Sequence, residues 1–543
     1  MKAAELFIRC IENEGTEYVF GIPGEENVDV MDALLDSPLR FITTRHEQGA
    51  AFMADVYGRL TGRAGVCLST LGPGATNLIT GVADANMDRA PLVAIAGQGA
   101  TTRLHKESHQ ILDLVNMFEP ITKYATQLRE PEIIPEVVRK AFKVAQAEKP
   151  GCAFMDFPEN IAKMDVEGAP LKVQSPAMPH PPRQKIAQAA SLIRDARFPI
   201  IMAGNGVIRA GASEQLVQFA EHLRIPIATT FMAKGVIPFS HPLALGAVGL
   251  GSKDYVNCGF DRADLILCVG YDMVEYHPSR WHMGKDKQIV HIDTEAAEVD
   301  EHYIVASGLV GSISAALTGI VEEMAPRPEP AISGLRQVIV REMEEFAHDS
   351  GFPIKPQKIL WDLRQVLGPR DVLISDVGAH KMWVARSYQA EVPNTCIISN
   401  GFASMGIAVP GALAARLADP SRRVVALTGD AGFLMNSQEM ETALRVGVPF
   451  VILIWSDAKY GLIEWHQLKA FGRSSHIDFG NPDFVKYAES FGAKGYRVGC
   501  VDELKPILET ALADDTVSVI DCPVDYRENM KLTQRLGELV CPT

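Results

Sequence analysis

Residues 422–461, RRVVALTGDAGFLMNSQEMETALRVGVPFVILIWSDAKYG, restrict what this chain can fold into more than any other stretch. VVALTG and FVILIW are apolar runs of strand length, and they end at Asp430 and Asp457. Between them NSQEMETALRVG reads as a helix, with Asn436 as N-cap, Glu439 three residues on and Gly447 at the C-terminal cap. Two short strands joined by one helix form a parallel βαβ unit, whose right-handed crossover brings both strand ends to the same sheet edge. Two carboxylates at one edge can share a cation.

Gly429 and Gly432 flank Asp430 and let backbone amides approach an anion at the helix N-terminus. Hard oxygen ligands without His or Cys favour magnesium over zinc. The stretch therefore describes a magnesium diphosphate site. It also fits an ordinary crossover whose strand ends are acidic, and the motif alone leaves both readings open.

At 543 residues the chain exceeds what one core can hold. Its net charge of −15, with no Lys/Arg cluster, excludes nucleic acid and anionic membranes as expected partners. Nine cysteines form no CxxC pair, and Cys67, Cys268 and Cys396 lie in apolar strands, so neither a disulfide nor structural zinc is expected. MKAAELFIRCIENEG is an amphipathic, charged helix without a signal-peptide core, and no apolar run has membrane-spanning length, so a cytoplasmic protein is expected.

Strand-like and helix-like segments alternate along the chain. EYVF, FITT, GVCLST and PLVAIAG, with a helix from His46 to Leu60 stopped by Gly62, make residues 1–169 a doubly wound domain. The Pro-rich segment 170–183 is a linker. FPIIMAGNGV, PIATTF, ADLILCVG and KQIVHID define a central domain over 185–330. The GNG at 204–206 lacks the full dinucleotide fingerprint and reads as a tight structural turn. A second linker at 326–334 precedes a third α/β domain over 350–525 and a tail at 526–543.

The Gly-Asp start at 429–430 and the Ser-Asp end at 456–457 resemble the thiamine-diphosphate motif, in which Gly-Asp-Gly is followed by Asn-Asn or Asn-Asp. Ala431 and Ser456 depart from that pattern without removing a side-chain ligand. GIPGEEN, LGPGATN, HQILDLVNMFEPITKY, VGYDMVEYHPSRW, ISNGFASMG, FGNPDFVKYAESFGA and VDYRENM extend the likeness over nearly the whole chain, and they look most like acetolactate synthases of the catabolic type. The resemblance implies an α/β fold of three doubly wound, Rossmann-like domains: pyrimidine-binding, central and diphosphate-binding. It also implies a homodimer or homotetramer, with each active site between the first domain of one subunit and the third of another.

The implied chemistry is decarboxylation of a 2-oxoacid, pyruvate, with carboligation to a second carbonyl, using thiamine diphosphate and Mg²⁺. By this resemblance Asp430 and Asp457 bind the metal through side chains, and Lys459 through its carbonyl. Gly378, His380, Ala431 and Gly432 line the diphosphate, with Gly429 and Tyr460 also against the cofactor. Met405 wedges between the cofactor rings, and the Ala403 carbonyl accepts from the 4′-amino group. Glu47 hydrogen-bonds the pyrimidine and moves its proton. Gln110 and Lys123 match catalytic positions facing the substrate, and Gly24, Leu462 and His466 match the substrate pocket.

Ala403 and His466 stand where the catabolic enzymes carry Gln, which leaves open a plain 2-oxoacid decarboxylase or a ligase using an aldehyde acceptor. VGYDMVEYH replaces the Arg-rich segment of the FAD-containing biosynthetic enzymes, so FAD is not expected. A non-catalytic homologue is the competing class, and the complete set Glu47, Asp430 and Asp457 argues against it.

Overall fold

The apolar runs fold into three six-stranded, all-parallel sheets. The computed structural model describes the chain apart from residues 175–176, 250–253, 329–333, 539–540 and 542–543, so parts of both linkers and of the tail lie outside the described residues.

The first sheet contains β1 (Tyr18–Gly21), β2 (Arg40–Thr43), β3 (Gly65–Ser69), β4 (Leu92–Gln98), β5 (Tyr124–Gln127) and β6 (Cys152–Pro158), in the order β2-β1-β3-β4-β6-β5. The central sheet contains β7 (Pro199–Ala203), β8 (Ile227–Thr229), β9 (Ala244–Ala247), β10 (Leu265–Val269), β11 (Gln288–Asp293) and β12 (Ser307–Val310), in the order β12-β11-β10-β7-β8-β9. The third contains β13 (Val372–Ser375), β14 (Cys396–Ile398), β15 (Val424–Gly429), β16 (Val451–Ser456), β17 (Lys494–Arg497) and β18 (Ser518–Pro523), in the order β14-β13-β15-β16-β18-β17. The first and third sheets thus repeat one winding pattern.

Alternation along each buried strand feeds two cores. In β3, Val66 and Leu68 face one side while Cys67 faces the other. The Cys67 side is shared between domains, because the helix Glu47–Thr61 packs against the helix Ala408–Ala418. Small residues permit this close approach: a Cβ at Gly411 would lie 2.9 Å from a Val56 methyl. The N- and C-terminal domains of one chain are therefore joined by a common apolar core.

Two expectations are corrected here. The stretch after Asp430 forms two helices, Asp430–Asn436 and Glu439–Val446, although Gly447 does end the second in the left-handed region at φ 70°. Asn436 closes the first helix and is not a cap; its Nδ2 donates to the Gly406 carbonyl at 2.9 Å. Glu439 likewise turns away from its own helix start toward the N-terminal domain. Tertiary partners outbid the local capping pattern.

The second correction is a disulfide between Cys258 and Cys541, with Cα atoms 5.6 Å apart. Its partners are 283 residues apart in sequence, so no spacing rule could have paired them. It ties the end of the chain to the central domain, beyond a helix at Arg527–Glu538. No helix among the described residues is long and apolar enough to cross a membrane.

Candidate active site

In the third sheet the chain winds outward from β13 to β14 and returns to β15, so the order reverses between β13 and β15. Open α/β sheets bind ligands at the carboxyl edge of such a switch point. Asp376 follows β13 and Asp430 follows β15 there, and the β15–β16 register sets Gly429 opposite Trp455. Asp457 therefore arrives beside Asp430.

The Asp430 carboxylate organises this edge. Its Oδ2 accepts from the backbone N–H of Asp457 at 3.0 Å and of Ala458 at 2.7 Å, and from Asn481 Nδ2 at 2.8 Å, while Oδ1 accepts from Ala431 N at 2.9 Å. Burial, and then the charge of Asp430, push the Asp457 carboxyl up to about 7. Asn481 Oδ1 is buried without a partner. Among the described residues no three His, Cys, Asp or Glu side chains cluster as a metal group. A cation at this edge would therefore need two carboxylates, amide and backbone oxygens, and oxygens from a ligand. That donor set suits a hard divalent ion, and the unpaired Asn481 oxygen and strained Asp457 charge are what such an ion would relieve.

His380 lies beside the same turn. Burial pushes its imidazole down to about 3, so the ring is neutral, and its Nε2 is buried without a partner. A Cβ at Gly378 would lie 2.7 Å from the ring, so only glycine lets the backbone pass this close. With the helix start at Asp430, the edge offers donors to an anion.

The loop before the helix Ala408–Ala418 is pinned over this edge. Asp376 accepts from Gly406 N at 2.8 Å and Ala408 N at 3.2 Å, and burial pushes its carboxyl up to about 6. Ala403 sits at φ 59°, a conformation that costs a non-glycine residue energy and persists only where surrounding contacts impose it. Met405 is half-buried between these anchors. Lys459 pairs with Glu464 at 2.8 Å, and Tyr460 is 41% exposed. Leu462 and His466 lie on the helix Gly461–Phe471, which buries no residue, and His466 is exposed.

Glu47 opens the helix after β2, where His46 is the N-cap and its Nδ1 accepts from Gln48 N at 3.0 Å. The Glu47 carboxylate is buried and accepts from Asn77 Nδ2 at 2.9 Å, beside Gly74. Gly24 packs on Thr70 at the same edge, and exposed Gln110, at φ 59°, packs on Gly72. Lys123 departs from its expected place facing a substrate: its ammonium is held by the carbonyls of Ala147 at 2.8 Å and Lys149 at 2.7 Å. Those bonds satisfy it at the boundary with the central domain.

The structure thus gathers Gly378, His380, Ala403, Met405, Gly429, Asp430, Ala431, Gly432, Asp457, Lys459 and Tyr460 at the third sheet's edge, and Gly24, Glu47 and Gln110 at that of the first. Among the described residues no hydrogen bond or ion pair of Glu47 or Gln110 reaches the acid pair. Asn77, Asp376 and Asn481 were not singled out from sequence. Asn77 and Asn481 were within reach, since they lie in the quoted LGPGATN and FGNPDFVKYAESFGA; Asp376 lies outside every quoted segment, and both Asp376 and Asn481 come to the βαβ unit only through the fold.

The description "Thiamine pyrophosphate enzyme, N-terminal TPP binding domain" matches residues 1–117, the central domain of the same enzymes matches 186–320, and their C-terminal TPP binding domain matches 376–522. Acetolactate synthase of Bacillus subtilis is 36% identical, covering 99% of this chain and 97% of that protein. The catabolic acetolactate synthase of Raoultella terrigena is 35% identical over 98% and 97% of the two chains. A probable acetolactate synthase large subunit of Methanocaldococcus jannaschii is 35% identical over 99% and 94%.

Proposed function

The chain belongs to the thiamine pyrophosphate enzymes, and we propose that it forms acetolactate, decarboxylating one pyruvate and ligating the two-carbon unit to the carbonyl of a second. The observation that carries this reading is the Asp430–Asp457 edge with its unpaired Asn481 oxygen, beside an equally unpaired neutral His380.

Asp430, Asp457, the Asn481 amide oxygen and the Lys459 carbonyl would hold Mg²⁺. His380 and the amides of the Gly429–Gly432 turn would hold the diphosphate. When bound, thiamine diphosphate supplies an electron sink for the bond to the departing carboxylate. The chain supplies placement and proton control. Asp376 fixes Gly406 and so the position of Met405 and of the Ala403 carbonyl. Glu47, oriented by Asn77, would hold and move the proton at the pyrimidine nitrogen. Ala403 and His466 would meet the acceptor.

Among the described residues no hydrogen bond or ion pair joins Glu47 to the acid pair of its own chain, which supports a complete site built by two copies. Exposed apolar side chains support this: Phe402 (44%), Met435 (42%) and Ile463 (50%) surround the third sheet's edge without a covering partner in the same chain. The proposed assembly is a homodimer or homotetramer, and the proposed compartment is the cytoplasm.

Flavin has no place in the proposal. At the GNG turn, Gly204 N donates to Val269 O, Gly206 N to Gly270 O, and Asn205 N to the Glu275 carboxylate. All three amides of the turn are satisfied within the chain, as befits a structural turn.

The test is product analysis after incubation with pyruvate, thiamine diphosphate and Mg²⁺. Acetolactate formed together with CO₂, and dependent on both cofactors, is the expected result. Acetaldehyde as the sole product would replace the reading with a plain decarboxylase.

A further inference from the structure

A buried charge cluster lies in the N-terminal domain, away from Glu47. Arg59, with a 7% exposed side chain, contacts Asp55 at 2.6 Å, Asp84 at 3.1 Å and Asp88 at 2.8 Å, and all three carboxylates are fully buried. Three buried carboxyl groups around one cation are expensive unless their remaining lone pairs are used. Burial accordingly raises the Asp84 carboxyl well above its ordinary range.

The remaining lone pairs of two of them are used by the C-terminal domain. Asp84 Oδ1 accepts from Ser399 Oγ at 2.7 Å and from Ser404 N at 3.3 Å. Asp88 accepts from Asn400 N at 3.0 Å and from Gly401 N. Arg59 itself donates to the Ile398 carbonyl at 3.3 Å. Lys381 closes the loop from the other side, donating to Ser399 O at 3.2 Å and Asn400 Oδ1 at 3.3 Å. These contacts bracket Ala403, the residue held at positive φ, and end one residue before Met405. Asp55 touches Arg59 and the Asp84 carboxyl but, among the described residues, no loop atom.

We propose that Asp84 and Asp88, with Arg59 as their shared counter-ion, are positioning residues for the cofactor-bearing loop Ser399–Gly406. They fix from the N-terminal domain the backbone that presents the Ala403 carbonyl and Met405 in the C-terminal domain of the same chain. Among the described residues the cluster makes no hydrogen bond or ion pair with the metal edge, so its task is placement of the aminopyrimidine end and not retention of the diphosphate. The inference rests on the thiamine diphosphate reading of the site.

Asp84→Asn and Asp55→Asn separate placement from bulk stability: both disturb Arg59, and Asp55 also meets the Asp84 carboxyl, but only position 84 carries loop contacts of its own, which a carboxamide facing Arg59 weakens. Two readouts are needed: amide hydrogen exchange of the peptide covering Ser399–Gly406 without cofactor, and proton exchange at thiazolium C2 with it. Asp84→Asn should lower loop protection and slow C2 exchange about 10- to 100-fold, with cofactor affinity changed less than about threefold. Asp55→Asn should lower the thermal midpoint while leaving both readouts near wild type. Should Asp84→Asn not fold, Ser399→Ala removes one hydroxyl, keeps every charge, and should move both readouts in the same direction by less. Wild-type loop protection in Asp84→Asn, or equal effects in Asp84→Asn and Asp55→Asn, would overturn the proposal. A wild-type protein that binds no thiamine diphosphate would sink the cofactor reading instead, and the loop-protection comparison would still decide this one.

Discussion

The Glu439 carboxylate of the C-terminal domain accepts the backbone N–H of His46 at 3.0 Å, one residue ahead of Glu47, and also that of Arg45 at 3.1 Å. Gly49 lies so close that a Cβ there would meet Glu439 Oε1 at 2.7 Å. A side chain from one end of the chain thus sets the strand-to-helix turn that aims Glu47 at the other.

Burial pushes the Glu439 carboxyl from 4.5 up to about 7. The folded protein then holds this proton more tightly than the unfolded chain, so the group's contribution to stability is fullest below about 4.5 and declines as pH rises through about 7. Glu439→Gln can keep its hydrogen bonds and cannot titrate. Other raised carboxyls, Glu275 and Asp376 among them, also slope the wild-type curve, so the difference between the two proteins is what counts. Unfolding free energy between pH 5 and 8, from denaturant melts, should fall less in the variant, by an amount on the order of 3 kcal/mol at most. Parallel curves would mean that Glu439 does not titrate in this range.

Glu47→Gln should preserve cofactor binding and slow proton exchange at thiazolium C2 by about 10²–10⁴-fold, the usual size of a general acid–base contribution. Exchange at the wild-type rate would reduce Glu47 to a structural helix start. Loss of exchange and binding together would point to a damaged site.

Asp430→Ala removes the carboxylate that holds Asp457, Ala458 and Asn481 in place, and should weaken thiamine diphosphate affinity by at least about 100-fold in a magnesium titration. Asn481→Ala, which deletes one oxygen ligand, should cost about 10-fold. Unchanged affinity in both would place the metal elsewhere.

The purified protein should be colourless and fully active without added flavin, because VGYDMVEYH stands where the flavin-containing relatives carry an Arg-rich segment. A flavin absorption band at about one equivalent per chain, with activity lost on its removal, would contradict this.

Much of the architecture was legible because buried parallel strands read as short apolar runs: VVALTG and FVILIW became β15 and β16, and their terminal acids do meet. The quoted runs do not include β5, β6, β9 and β12, nor β13, β14, β17 and β18 of the third domain, so strand length alone does not separate what was read from what was not: β1 and β2 have four residues each and were read, while β6 has seven. The site was legible where one segment carries its own geometry, as around Asp430, and illegible where distant segments converge. Asp376, Asn481 and the Asp84–Ser399 contact depend on such convergence. Glu439 shows the same limit from the other side. Its position three residues after Asn436 satisfied a local capping rule, yet the hydrogen bonds it makes are nearly 400 residues away.

The central claim is that acetolactate forms at a site built by two chains, and subunit complementation tests it most directly. Glu47→Gln and Asp430→Ala chains are each expected to be nearly inactive alone. After unfolding and refolding as an equal mixture, a mixed dimer would pair one doubly defective site with one intact site. Acetolactate formation from pyruvate should then recover to about a quarter of the wild-type rate, since about half the dimers are mixed and each holds one working site of two. No recovery, with mixed dimers shown to be present, would contradict the account.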